Sequence, residues 1–128
     1  MSNEIIMKKR ILHVDDEEDT LEIVKIILEK AGYEVVNAKN GSHALKQIDL
    51  DGFDLLIFDI MMPDMSGWDL FTRVSNIKPN YKIIFLSVLE LSNERKKELI
   101  EMGVLDYIQK PFDRNDLVRR VSKAIEGN

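Results

Sequence analysis

The sequence contains no cysteine, which excludes disulfides, thiolate metal ligands and thiol nucleophiles. It has no apolar run approaching the ~18 residues of a membrane-spanning helix, and its basic cluster at residues 8–10 is on the wrong side of the short apolar amino terminus for a secretory signal. The glycine-rich dinucleotide fingerprint and the Walker lysine loop are also missing, which disfavours a flavin or nucleotide-binding module. We therefore expect a cytoplasmic protein without membrane insertion.

Positive charge is also in deficit. The chain has 18 lysines and arginines against 23 aspartates and glutamates, for a formal net charge of −5. Acidic side chains occupy every position from 15 to 19. A surface of this sign repels phosphate backbones, so we expect no direct nucleic-acid partner.

The length of 128 residues fits a single domain with one good core. We assign residues 1–8 to a short N-terminal extension and residues 9–126 to the domain, with no output domain in this chain. Apolar runs alternate with segments of helical periodicity. The predicted strands lie at residues 11–14, 34–38, 55–58, 82–86 and about 105–109.

The alternation of strands and helices predicts a doubly wound α/β sandwich with right-handed crossovers. The third strand lacks polar alternation, as expected for a strand that is covered on both faces. The first helix is predicted from about Thr20 to Ala31. Ser92 and Asp113 are the predicted N-caps of the fourth and fifth helices.

Three of the apolar runs end in charged residues. Asp15 and Asp16 follow the first strand, Asp59 follows the third, and Lys110 follows the fifth. Ligands of parallel sheets bind at the carboxyl ends of the strands, so we expect the three acids and the lysine to meet there.

Such a cluster requires additional positive charge. Two carboxylates ~5 Å apart repel each other by about 3 kcal/mol at an effective dielectric constant of ~20. A single lysine does not neutralise three acids. Magnesium is a hard divalent cation that prefers oxygen ligands and keeps several waters, so the sequence predicts a Mg²⁺ site.

The order of these residues along the chain matches a known pattern. The elements are Asp15-Asp16, Asp59 with Met62-Pro63-Asp64 and Gly67 behind it, Ser87 after the fourth strand, and Lys110-Pro111 after the fifth. Over nearly its whole length the chain resembles the receiver domain of two-component response regulators. The resemblance implies a flavodoxin-like, five-stranded parallel sheet in the order 2-1-3-4-5 with five helices on both faces. It also implies a signalling phosphoprotein rather than a turnover enzyme.

The resemblance further implies a role for each residue of the site. Asp59 is expected to accept a phosphoryl group from a sensor histidine kinase or a phosphotransfer protein, and Lys110 and Ser87 are expected to contact that group. The Lys110–Pro111 bond is expected to be cis. The implied magnesium ligands are Asp15, directly or through water, Asp16, Asp59 and the backbone carbonyl of Met61.

The resemblance also implies a conformational switch. Ser87 is expected to move toward the phosphoryl group while Tyr107 fills the space that it leaves, which alters the surface of helix four, strand five and helix five. Asp106 and Arg120 resemble positions that pair across a homodimer in one regulator subgroup. The apolar residues just before Asp106 depart from that subgroup's small and polar ones, so dimerisation on phosphorylation stays open.

Each residue also has a plainer interpretation. Residues 15–19 suit the start of a helix, where carboxylates are stabilised by the helix dipole. Asp59 and Ser87 suit turns, Lys110 suits a solvated surface, and Tyr107 suits simple packing within a strand.

Two functional alternatives remain. The bulky Val88 beside Ser87 is compatible with an interaction module that is never phosphorylated. An aspartyl-nucleophile phosphohydrolase is disfavoured because Met61, two residues after Asp59, is unable to serve as the general acid that such enzymes place there.

Two apolar side chains predict a long-lived phosphorylated form. Met61 and Leu89 occupy positions where many relatives have polar groups that orient an attacking water, and Val88 is bulkier than the usual small residue.

We interpret His13 and His43 as bystanders, because one lies within a strand and the other lacks a nearby acidic partner in sequence.

Overall fold

The computed structural model describes residues 7–50 and 52–127, and these residues form five strands and five helices. Most of the predicted extension over residues 1–8 lies outside them. The strands are β1 (Arg10–Val14), β2 (Glu34–Ala38), β3 (Leu55–Phe58), β4 (Ile83–Ser87) and β5 (Asp106–Gln109). The helices are α1 (Glu18–Lys30), α2 (Gly41–Leu50), α3 (Gly67–Ile77), α4 (Asn93–Glu101) and α5 (Arg114–Glu126).

The strands form one parallel sheet in the order β2-β1-β3-β4-β5. This order confirms the predicted doubly wound, flavodoxin-like fold. The chain runs outward from β1 to β2 and then returns to β3, so the strand order reverses between β1 and β3. Loops that leave the sheet at such a reversal point diverge and leave a crevice at the carboxyl ends of the strands.

Apolar side chains fill both faces of the sheet. On one face, Leu28 of α1 and Leu117 of α5 belong to a buried cluster. On the other, Ala44 of α2, Leu70 of α3 and Leu99 of α4 belong to a second cluster. Every residue of β3 is fully buried, because this central strand is covered from both sides.

Helix α1 begins at Glu18, slightly before its predicted start at Thr20. The backbone N–H of Glu17 donates to Asp15 Oδ1 at 2.9 Å, and Glu18 and Asp19 occupy the first turn. Carboxylates at this end of a helix interact favourably with its dipole. The acidic run therefore divides into two parts, since Asp15 and Asp16 precede the helix while the later acids begin it.

The predicted N-caps of α4 and α5 are confirmed. Ser92 Oγ accepts a hydrogen bond from the backbone N–H of Arg95 at 3.1 Å. Asp113 accepts one from the backbone N–H of Asp116 at 3.0 Å. These caps fix where each helix starts after the loop that leaves β4 or β5.

Candidate functional site

The fold brings three carboxylates together at the carboxyl end of the sheet. Asp15, Asp16 and Asp59 each offer an oxygen atom, and these atoms lie within 4.8 Å of one another. Asp15 and Asp59 are buried, whereas Asp16 is exposed and lines the mouth of the site. Three acidic side chains at this spacing repel one another strongly unless positive charge lies among them.

Lys110 supplies part of that positive charge. Its Nζ lies 2.7 Å from Asp15 Oδ2, 3.7 Å from Asp59 Oδ2 and 3.9 Å from Glu17 Oε1. The side chain is only 9% exposed, so the interpretation of Lys110 as a solvated surface residue is wrong. The Lys110–Pro111 peptide bond is cis, as predicted.

The ionised form of Asp59 is disfavoured by its surroundings. Burial raises its pKa above the usual range of an aspartate, Lys110 opposes that shift, and Asp15 adds to it. The backbone N–H of Met61 approaches Asp59 Oδ1 at 3.4 Å. A buried carboxylate with few donors is poorly solvated and is therefore available to a cation or an electrophile.

A glycine holds the loop after β3 against the end of that strand. The N–H of Gly67 donates to the carbonyl oxygen of Ile60 at 2.7 Å. A Cβ at position 67 would lie 2.9 Å from Ile60 Cα and 2.9 Å from Phe85 Cε1, closer than real Cβ contacts. Only glycine fits here without displacing its neighbours, and this close approach keeps the loop folded beside Asp59.

The loop after β4 connects Ser87 with Tyr107. Ser87 is fully buried, and its Oγ approaches the backbone N–H of Leu89 at 3.4 Å. The Tyr107 hydroxyl donates to the carbonyl oxygen of the same Leu89. Tyr107 is thus more than a packed aromatic, because its polar end is bonded to the loop that carries Ser87.

Asp64 has a contact that sequence reasoning missed. Its carboxylate accepts hydrogen bonds from the backbone N–H of Gly41 at 3.0 Å and of Ser42 at 2.9 Å. Although desolvation acts to raise the pKa of Asp64, the hydrogen bonds from Ser42 and Gly41 lower it. The loop after β3 therefore caps α2, and no local signal predicts this contact between residues so far apart in sequence.

His13 lies within a strand, as the sequence indicated, but it also lies close to the acidic cluster. It is fully buried in β1, and its Nε2 lies 3.9 Å from Asp15 Oδ2. Burial, and secondly Lys110, lower the pKa of His13 to about 3, so the ring is uncharged at neutral pH. Its position beside the acidic cluster is a consequence of strand register, which places it two residues before Asp15.

The two residues suspected of pairing across a dimer interact within the chain. Arg120 donates to both carboxylate oxygens of Asp106, at 2.7 and 2.6 Å. It also donates to the carbonyl oxygen of Tyr107 at 2.8 Å. This bidentate contact joins α5 to β5 beside the tyrosine.

Among residues 7–50 and 52–127, no helix is both long and apolar enough to cross a membrane.

The fold and the acidic crevice together define a doubly wound α/β protein with a carboxylate site at the strand-order reversal. Residues 11–122 match the response regulator receiver domain family. The chain belongs to that family, the receiver domains of two-component systems, which are signalling domains rather than turnover enzymes.

Individual relatives agree with this assignment. The transcriptional regulatory protein CrdR of Helicobacter pylori is 35% identical over 118 residues, which cover 91% of this chain and 55% of CrdR. Response regulator TrrA of Thermotoga maritima, solved in complex with Mg²⁺-BeF, gives a TM-score of 0.79 at 35% identity, covering 91% of this chain and 98% of that one. A CheY-like receiver domain protein of Methanospirillum hungatei gives 0.85 at 34% identity, covering 94% and 96%. The chain spans about half the length of the first curated relatives.

The burial of Asp59 leads to a prediction about stability. We expect Asp59→Asn to raise the free energy of unfolding of the metal-free protein at neutral pH by about 1–3 kcal/mol, because it removes a buried charge that Asp15 repels. The pKa of Asp59 is raised on folding, so its ionised form destabilises the fold. The gain should shrink as the pH falls and Asp59 becomes protonated in the parent.

Thermal unfolding measured across pH, with a chelator present, tests this prediction. Asp49→Asn is the matched control, because Asp49 is exposed on α2 and its replacement should change little. An Asp59→Asn variant that is less stable than the parent at neutral pH would contradict the prediction.

Proposed function

We propose that this protein accepts a phosphoryl group from a sensor histidine kinase, or from a phosphotransfer protein, onto Asp59 in a magnesium-dependent reaction. One observation carries the proposal: Asp15, Asp16 and Asp59 crowd together with Lys110 at one end of the sheet. Residues 9–126 form the receiver domain in this proposal, and we expect it to work in the cytoplasm.

The donor set fits a magnesium ion. Asp16 and Asp59 would hold it with carboxylate oxygens, Asp15 would contribute directly or through water, and the backbone carbonyl of Met61 would provide a neutral ligand. Oxygen ligands of this kind, with an exposed side for water, suit Mg²⁺. When bound, magnesium supplies positive charge that neutralises the carboxylates and the oxygens of the transferring group.

Asp59 acts as the nucleophile. A bond forms between its carboxylate oxygen and the phosphorus of a phosphohistidine, the P–N bond of the donor breaks, and the bonding electrons stay with the imidazole nitrogen. Lys110 lies 3.7 Å from Asp59 Oδ2 and is close enough to turn toward a phosphoryl oxygen. Charge stabilisation and alignment by such groups account for most of the catalysis of phosphoryl transfer.

The Ser87–Leu89–Tyr107 connection supports a switch. A phosphoryl group on Asp59 would attract the Ser87 hydroxyl as a hydrogen-bond donor, and this movement would displace the backbone of Leu89. The backbone of Leu89 is hydrogen-bonded to both Ser87 and Tyr107. A displacement of Leu89 would therefore extend to β5 and to the neighbouring surfaces of α4 and α5. That surface is where we place the readout of phosphorylation.

The proposal predicts a specific covalent change. With magnesium and acetyl phosphate, the parent should gain the mass of one phosphoryl group, because Asp59 is the proposed nucleophile and lies beside Lys110. Asp59→Asn should gain none, and Asp49→Asn should behave like the parent. Intact-mass spectrometry measures all three. A parent that stays unmodified would contradict the proposal and favour an interaction module that is never phosphorylated.

The apolar rim of the site predicts a long lifetime for the phosphorylated form. Met61 is 53% exposed two residues after Asp59, and Val88 is 52% exposed directly after the buried Ser87. Met61 and Leu89 occupy the two positions from which a polar group could orient a water, and neither apolar side chain does so. We expect Met61→Asn to shorten the half-life by about tenfold, since a polar group there orients the water.

The half-life is measured by intact mass after the excess acetyl phosphate is removed. Met102→Asn is the matched control, because Met102 is 57% exposed at the end of α4, away from the strand ends that carry the site. Loss of the phosphoryl group from the parent within a minute, without a phosphatase, would refute the prediction.

A further inference from the structure

His13 is a polar side chain in the buried part of β1. It is fully buried, and neither ring nitrogen has a hydrogen-bond partner among residues 7–50 and 52–127. Its neighbours in strand register are Asn37 on β2 and Ile57 on β3. A buried donor without a partner destabilises the folded state, so an unpaired imidazole at this position calls for a physical reason.

The nearest acidic group to this imidazole is Asp15. His13 Nε2 lies 3.9 Å from Asp15 Oδ2, beyond the range of a hydrogen bond. Both side chains are fully buried, so bulk water does not reach the space between them. A shift of about 1 Å would bring the two atoms into hydrogen-bond range.

Each oxygen of Asp15 already has one donor. The backbone N–H of Glu17 donates to Oδ1 at 2.9 Å, and Lys110 Nζ donates to Oδ2 at 2.7 Å. Lys110 is also the residue that must turn toward a phosphoryl group on Asp59. When it does so, Asp15 Oδ2 is left buried and without its donor, which is costly for an ionised carboxylate.

We propose that His13 is a positioning residue that donates its Nε2–H to Asp15 Oδ2 when Lys110 leaves that oxygen for the phosphoryl group. The two unpaired groups then satisfy each other. His13 thereby lowers the barrier to moving Lys110 and keeps Asp15 oriented toward the metal. This inference rests on the proposed phosphorylation of Asp59.

The properties of the ring suit this role. An imidazole offers a ring N–H as donor, and Nε2 already lies 3.9 Å from the oxygen that would accept it. Asn37 lies on the same face of the sheet, and its buried Oδ1 likewise has no partner in the described part of the chain. Groups that orient a metal-binding carboxylate in this way commonly tune the site.

Two variants separate positioning from packing. His13→Leu removes the donor, whereas His13→Gln retains an N–H near the position of Nε2. We expect the Leu variant to unfold at a higher temperature than the parent when metal-free, because an unpaired polar group is removed. At saturating magnesium, its rate constant for phosphorylation by acetyl phosphate should nevertheless fall roughly three- to tenfold, the effect of one hydrogen bond.

The Gln variant should recover most of the lost rate, which a purely structural role does not predict. Ile57→Val is the matched control, because Ile57 neighbours His13 in register, is buried and has no polar group. A Leu variant that is phosphorylated as fast as the parent would overturn the inference while leaving phosphorylation of Asp59 intact. A parent that is not phosphorylated at all would instead refute the proposed function.

A measurement on the parent covers the case in which the Leu variant fails to fold. Nuclear magnetic resonance of ¹⁵N-labelled protein reports the imidazole N–H of His13 directly. Adding magnesium and beryllofluoride, a phosphoryl mimic, should shift the Nε2–H resonance downfield and slow its exchange as the hydrogen bond to Asp15 forms. A resonance that stays unchanged would overturn the proposal.

Discussion

The repulsion among three carboxylates at neighbouring strand ends is the constraint on which the rest of this site depends. Asp15 and Asp59 are buried, and Lys110 is the cation placed between them. One ammonium group does not balance three carboxylates, so the fold leaves the cluster with an excess of negative charge. An oxygen cluster with this excess of negative charge would be neutralised by the divalent cation of our proposal, which would in turn attract the negatively charged oxygens of a phosphoryl group.

The same geometry links the site to a distant surface. Lys110 begins the loop after β5, and Ser87 ends β4, so two groups that would contact a phosphoryl group sit on adjacent strands. Leu89 bonds through its backbone to both Ser87 and Tyr107. Arg120 of α5 then binds the carbonyl oxygen of Tyr107. These contacts form a continuous connection from the site to α5, along which the proposed switch would act.

Local patterns made much of the fold predictable from sequence. The unbroken apolar run of β3 indicated a strand covered on both faces, and Ser92 and Asp113 carried the side chains that helix N-caps require. The convergence of the acids followed from the rule for parallel sheets. The surroundings of Asp64 and His13 were not predicted, because tertiary packing sets them. Asp64 caps a helix that begins 23 positions earlier, and His13 lies 3.9 Å from Asp15.

Calorimetric titration of magnesium into Lys110→Met tests the charge argument most directly. If Lys110 partly neutralises the acids, its removal should leave more negative charge, and the variant should bind one Mg²⁺ per chain several-fold more tightly than the parent. Lys97→Met, which removes an exposed charge on α4, should bind as the parent does. Equal or weaker binding by Lys110→Met, or no binding by the parent, would contradict the account.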